Sequence, residues 1–446
     1  MDFSEKVSDK VSDKVSDKID IEPLGEVRAW ISWLLGVSFI VMVFALQTGY
    51  AVTNVYVADS LSLSLVQVGL VGSVYTWVFA ISQFASGSVL DTFGSRALPF
   101  ACLTVALGAF GFANAPNIQV LLFSQVLIGI GASFGFIGAG FVGGMWFEPI
   151  KYGFMFSLVQ FFSSGSAVIA QQSINYFIQE VQWSDLINSL ALITLVISFI
   201  LFFFLRDPAQ VLTARSEEQV WHGLKAFFAK IVHNINEVAA IKDSWINCLI
   251  GGATFGTMLA LGVVWGPRLL MSAGLSQSEA NIATSMSWLG LAVGSPVFAF
   301  ISDRLRSRKK PMLAACLLQL TTITVLLSIT NINYSMSLLL FFTWGLAAGG
   351  SMIPFSIAAD LVRPALIGTS AAVVNGTQFV VAGLLMAIPG QVLSGEGLAA
   401  RLVLSASGSP ATDFENYRLA LIVYPFALAL AICLFLFLKE TYPEDV

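Results

Sequence analysis

Two carboxylates, Asp91 and Asp303, stand 212 residues apart in segments of related design. The first reads Gly87-Ser-Val-Leu-Asp91-Thr-Phe-Gly94-Ser-Arg96. The second reads Ala299-Phe-Ile-Ser-Asp303-Arg304-Leu-Arg306-Ser-Arg308-Lys309-Lys310. An acid in a short turn can meet the positive N-terminal end of a neighbouring helix and the basic residues around it, and glycine lets the turn be tight. That is the chemistry of a latch; the alternative is a pair of solvated loops that only set topology. No phosphate-binding loop, catalytic carboxylate pair or Ser/His/Asp set accompanies them, so no enzyme activity is expected. The run Gly129-Ile-Gly131-Ala-Ser-Phe-Gly135 has no strand before it and lies in an apolar stretch, where small residues serve helix packing.

A second group of residues is polar without charge. Gln47, Tyr50 and Asn54 fall at i, i+3 and i+7 on one helical face, and Asn375 and Gln378 share another. Tyr75, Gln125, Gln160, Trp265 and Trp288 sit at comparable depth in other apolar stretches. Together they suit a polar or zwitterionic small molecule, although each alone also serves as an interhelical hydrogen-bond or packing residue. Arg268 is the one cation placed to meet a carboxylate. Asp59 is an acid near a helix end, available for coupling. The cores of the apolar stretches hold no Asp, Glu, Lys or Arg, so a proton relay at mid-depth is not expected.

The elements that must position these groups follow from composition. Only 11% of the 446 residues are charged and 57% are hydrophobic, with a mean hydropathy of +0.82, so lipid must replace water around most of the surface. The expected partners are therefore a lipid bilayer and a small-molecule substrate, with no nucleic acid. Stretches long enough to cross roughly 30 Å of hydrocarbon occur at 30–57, 66–89, 97–114, 119–145, 152–177 and 186–205. After a polar linker, six more follow at 244–271, 279–302, 311–330, 335–359, 366–391 and 417–438. The expected organisation is a tail 1–29, a six-helix bundle 30–205, a linker 206–243 carrying a surface helix, a second bundle 244–438 and a short tail 439–446. Numbering the spans in order puts every Lys and Arg except Arg268, Arg401 and Arg418 on the side of the two termini, which the positive-inside rule makes cytoplasmic. The inner membrane of a bacterium is the expected location.

Cys102, Cys248, Cys316 and Cys433 lie in apolar runs without metal-binding or disulfide spacing, and His222 and His233 lie in the linker. No metal or cofactor is expected. The tail's K-V-S-D repeats are too polar to pack, and no cleavage site follows the first apolar stretch, so the tail reads as disordered rather than as a signal peptide.

The paired loops resemble those of the major facilitator superfamily, whose signature G-x-L-a-D-r-x-G-r-k is matched by Gly87, Asp91, Gly94 and Arg96. The second copy is degenerate, with Ala299 and Arg306 in place of the glycines. Trp146-Phe-Glu-Pro-Ile-Lys-Tyr-Gly153 is similar to that superfamily's loop before span 5. Trp265-Gly-Pro-Arg-Leu-Leu270, with Gly274-Leu-Ser276, resembles a bacterial branch related to lysosomal dipeptide transporters and to siderophore and metabolite permeases. The resemblance implies an all-α fold of twelve transmembrane helices in two six-helix bundles. The two bundles rock to expose a midplane site alternately to each side, and a monomer is expected. It also implies an inner gate in which Asp91, with Arg96, faces the start of span 11 near Arg363, while Asp303, with Arg304, faces the start of span 5 near Lys151. Gln125 stands where a coupling arginine often occurs, and span 5 lacks the G-P motif of drug/proton antiporters, which disfavours a multidrug exporter. A small polar metabolite such as a dipeptide, amino acid or organic acid is the expected solute, moved by uniport or end-coupled symport. A siderophore permease of the same superfamily, or a membrane receptor or structural protein that transports nothing, is the alternative.

Overall fold

The computed structural model describes residues 27–63, 65–178, 180–208, 224–394, 401 and 413–443, and it is helical throughout, with no strand among them. The K-V-S-D tail and linker residues 209–223 lie outside the described residues. A span surrounded by hydrocarbon has no water for its backbone, so only a helix can satisfy its N–H and C=O groups internally.

Spans 1 to 6 are Val27–Leu61, Leu65–Phe93, Ala97–Ala113, Ile118–Trp146, Tyr152–Phe177 and Trp183–Phe204. A linker helix, Leu224–Ala239, precedes span 7, Lys242–Ser272, and span 8, Gln277–Arg304. Spans 9 to 12 follow as Lys309–Ser328, Tyr334–Asp360, Ile367–Ser394 and Asp413–Leu434. Ten stretches are long and apolar enough to cross a membrane; one of these, Leu70–Ala113, contains both span 2 and span 3. Span 7 brings the total to twelve: its helix is interrupted by a π-turn at Leu261–Trp265. Twelve crossings put the start of span 1 and the end of span 12 on one side, called here the terminal face. Large apolar side chains such as Ile81, Ile169 and Leu436 are over 60% exposed and form the lipid-facing surface.

The repeat is visible in the backbone. Span 4 breaks between Ile118–Ala132 and Gly135–Trp146, and span 10 breaks at the 3-10 turn Gly349–Met352. A buried glutamine serves each break: Gln83 donates to the Ser133 carbonyl (2.9 Å) and Gln378 to the Ser351 carbonyl (3.0 Å). Asparagines cap the starts of both spans, Asn117 for span 4 and Asn333 for span 10. Ser276 and Glu279 close a capping box on span 8.

Hydropathy ends spans 2 and 8 too early. The last helical turns extend past the apolar run, so Asp91 and Asp303 lie on helix rather than in loops. Past each acid the backbone turns through the left-handed region at matching positions, Gly94 (φ 70°) and Arg306 (φ 47°). The geometry of the turn survives in the second half although its glycine does not.

Candidate functional site: a closed terminal face below a solute-sized cavity

At the terminal face the two halves meet through Asp91. Its carboxylate accepts the backbone N–H of Gly368 (2.8 Å), the backbone N–H of Thr369 (2.7 Å) and the Thr369 hydroxyl (2.6 Å). These N–H groups belong to the first turn of span 11, which has no intrahelical partner for them, so a carboxylate there satisfies both orphan donors and the helix dipole. Gly87, one turn earlier, allows the approach: a Cβ at that position would overlap the Gly368 carbonyl oxygen and the Ala372 methyl. The linker helix lies over the same seam. Its Asn234 donates to Ser88 of span 2 (2.9 Å), and its Glu237 takes Arg363 with two contacts of 3.1 Å.

The second acid is engaged differently from the family-derived expectation. Asp303 is held by Arg308 (2.9 Å), which also reaches Asp360 at the end of span 10 (3.4 Å) and is only 3% exposed. Lys151 pairs instead with Glu148, three residues away (3.0 Å), and Arg304 is exposed. The expected meeting of Asp303 with Lys151 is therefore not formed: Arg308, five residues beyond Asp303, reaches it within the same half. The chain's end closes this cluster. Glu440 accepts from the Ser307 hydroxyl and the Arg308 N–H (2.7 Å), Thr441 donates to Asp360 (3.2 Å), and the Tyr442 ring lies 4.7 Å from the Arg308 guanidinium. Glu440 is partly buried, which works against its charge. Hydrogen bonds from Ser307 and from the backbone N–H groups of Arg308, Tyr442 and Lys309 outweigh that and hold its carboxyl below the usual range. The first half has a counterpart in Asp207, just beyond span 6, which accepts the Ser95 N–H (3.1 Å).

Two aromatic layers thicken the seal above these contacts. Phe79 of span 2 meets Phe379 of span 11 at 4.8 Å, and Phe255 of span 7 lies 5.6 Å from Phe379. Phe156 of span 5 stacks on Phe355 of span 10 at 4.7 Å, with Phe136 of span 4 at 5.5 Å from Phe355. Each layer joins the two halves.

Beyond the seal, on the side away from the terminal face, lies a cavity of about 510 Å³. Of the residues singled out in the sequence, it collects Gln47, Tyr50, Tyr75 and Gln125, with Thr76 as a further hydroxyl. Phe112, Ile128, Ile187 and Phe379 supply apolar wall, and among the described residues no Asp, Glu, Lys or Arg lines it. Tyr75 is 8% exposed, and its hydroxyl has no hydrogen-bond partner among the described residues. Gln125 is 5% exposed and likewise makes no hydrogen bond among them.

The other candidates lie elsewhere. Asn375 and Gln378 sit on span 11 one turn and one residue before Phe379, on the sealed side of the aromatic layer. Asn375 Nδ2 and Gln378 Oε1 are buried there without partners among the described residues. Gln160 donates to Ser164 within its own helix (2.7 Å). Trp265 donates to the Met386 carbonyl (3.0 Å), tying the π-turn of span 7 to span 11, and the exposed Arg268 lies 5.6 Å from its ring. Trp288 packs edge-on against Phe44 of span 1 at 6.3 Å. Asn54 is on span 1, with a side chain outside the description, and Asp59 is exposed on its last turn. Sequence reasoning passed over Thr369, Arg308 and Glu440, although a Thr in the first turn after Pro364 and an acid closing span 12 were available as signals.

Twelve spans in two repeated halves, closed on one face over a largely apolar cavity set with a few uncharged polar groups, define a multi-pass carrier. The chain belongs to the Major Facilitator Superfamily, whose family model matches residues 34–387. It is 23% identical over 389 residues to the probable galactarate/D-glucarate transporter GudP of Escherichia coli, covering 80% of this chain and 84% of that one. Among solved structures it resembles the E. coli fucose:proton symporter FucP (TM-score 0.63, 16% identity, covering 92% of this chain and 100% of that one). It also resembles a double-Trp mutant of XylE (TM-score 0.69, 13% identity, covering 93% and 97%). At these identities the two structures speak to the fold alone.

Proposed function

We propose that this carrier moves a small hydroxylated organic acid across a bacterial inner membrane by alternating access, with the terminal face cytoplasmic. The observation that carries the reading is the cavity, where the Tyr75 hydroxyl is buried without a hydrogen-bond partner among the described residues and the Gln125 side chain lines the wall beside it. A buried polar group left unpaired costs about 1–3 kcal/mol, which a solute hydroxyl or carboxylate recovers on binding. The volume lies within the range of small-molecule sites. The name of the E. coli relative favours an organic acid of the sugar-acid type over a dipeptide, an amino acid or a siderophore.

In this reading Tyr75, Gln125, Gln47 and Tyr50 hold the solute while Asp91 and the aromatic layers keep the cytoplasmic side shut. Reopening there parts Phe79 from Phe379 and presents Asn375 and Gln378 to the solute. With no Asp, Glu, Lys, Arg or His among the described residues of the cavity wall, uniport or coupling through a residue at a span end such as Asp59 follows.

Uptake of labelled galactarate, glucarate, gluconate and a dipeptide into proteoliposomes tests the proposal. The expected result is transport of at least one sugar acid, with KM raised several-fold by Tyr75→Phe and Gln125→Ala. Uptake of the dipeptide alone, or of none of the four, would overturn the choice of solute.

A further inference from the structure

A second cavity, of about 520 Å³, opens on the lipid-facing surface of the first half. Its walls are Phe93 of span 2, Phe100 of span 3 and Ile130 of span 4, all more than a third exposed, and Ala101 and Gly131 also line it. At its terminal-face end stands Arg96. Thr104 lies seven helical steps beyond Ala97, and both line it, so it runs roughly 10 Å down the helix axis. That covers most of one leaflet's share of a hydrocarbon core about 30 Å thick.

The charge at the mouth follows from the repeat. A shift of 212 residues relates Arg96 to Arg308, Glu148 to Asp360 and Asp91 to Asp303. In the second half Arg308 turns inward onto both carboxylates. In the first half the same two acids are engaged elsewhere: Asp91 holds the start of span 11 and Glu148 pairs with Lys151. Arg96 is left exposed, with no ion pair among the described residues, at the head of an apolar groove.

We propose that this groove is a binding site for an anionic phospholipid, with the phosphate on Arg96 and an acyl chain between Phe93, Phe100 and Ile130. A guanidinium at headgroup depth supplies the charge complement, and the apolar walls below match a chain of the terminal-face leaflet. The site stands apart from the solute cavity and does not depend on which solute is carried.

Native mass spectrometry of the full chain, released from micelles holding equimolar phosphatidylglycerol and phosphatidylethanolamine of identical acyl chains, reads the preference directly. The wild type is expected to retain phosphatidylglycerol over phosphatidylethanolamine by about fivefold. Arg96→Gln should bring the ratio to one, Arg96→Lys should keep it above one, and Ile130→Trp should lower retention of both lipids by filling the groove. A thermal melt of each variant establishes that it is folded. Equal retention of the two lipids by the wild type, or an unchanged preference in Arg96→Gln, overturns the proposal.

Discussion

Asp91 and Thr369 lie 278 residues apart, yet the carboxylate takes both the backbone N–H and the hydroxyl of that threonine across the seam between the halves. Hydrogen bonds to a charged group contribute about 1.5–3 kcal/mol each. In Asp91→Asn one oxygen becomes an NH2 group facing donors, so a loss of about 2 kcal/mol is expected, shifting the closed-to-open ratio of the terminal face by about 30-fold. Thr369→Val removes only the hydroxyl, and at the lower end of that range, about 1.5 kcal/mol, should shift it about 13-fold. The Glu237–Arg363 pair is exposed and worth about 0.5 kcal/mol, so Glu237→Gln should move the ratio about twofold. Distances between spin labels on the terminal-face ends of the two halves rank the three variants. An Asp91→Asn distribution identical to wild type would remove Asp91 from the latch.

Much of this arrangement was legible in the residues. The two acids with their flanking cations mark the repeat, and hydropathy places the spans within a few residues. What could not be read is what tertiary contact decides. Nothing local in Gly129–Gly135 distinguishes a continuous packed helix from one broken at Ser133, because the freed carbonyl is satisfied by Gln83, 50 residues earlier. Trp265 looked like a ligand because an indole N–H in an apolar stretch needs a partner; the partner is the Met386 carbonyl. The family pattern sent Asp303 to span 5. In this chain Arg308 is close enough to take it first.

Close approach at Gly87 gives a second test. Because a Cβ there would overlap the backbone of Gly368 rather than a movable side chain, the clash can be relieved only by separating spans 2 and 11. Gly87→Ala is expected to hold the terminal face open, with the same direction of change in label distances as Asp91→Asn. The isolated protein should remain folded, since the strain is relieved by rocking. Labels that stay at the closed distance would show that the halves do not meet through this glycine.

The two left-handed turns make different predictions for glycine. A side chain at Gly94 would have to adopt φ 70°, at a cost of about 1–2 kcal/mol. Gly94→Ala should therefore lower the melting temperature. Arg306 already holds φ 47°, so Arg306→Gly relieves backbone strain; against that stand the side-chain contacts it removes and the freedom glycine adds to the unfolded chain, and the melting temperature should fall less than in Gly94→Ala. Thermal unfolding in one detergent compares them; destabilisation by Arg306→Gly larger than by Gly94→Ala would contradict the assignment.

Glu440 ties stability to pH with a definite sign. Its carboxyl is held below the ordinary 4.5 because the donors of Ser307, Arg308, Lys309 and Tyr442 favour the charged form more than partial burial opposes it. A group depressed in the fold contributes stability that is fully present above its unfolded pKa and lost as pH falls through the folded one. The contribution should thus be constant from neutral pH down to about 4.5 and decline below it. In Glu440→Gln the charge is absent at every pH, so this variant should melt below wild type at pH 7, and the gap should narrow as pH falls below 4.5. Hydrogen exchange at residues 439–443, corrected for intrinsic rates, locates the change in the strap. If the gap between the two proteins is the same at pH 7 and pH 3.5, the ionised carboxylate is not what fastens the end of the chain to the span 8–9 turn.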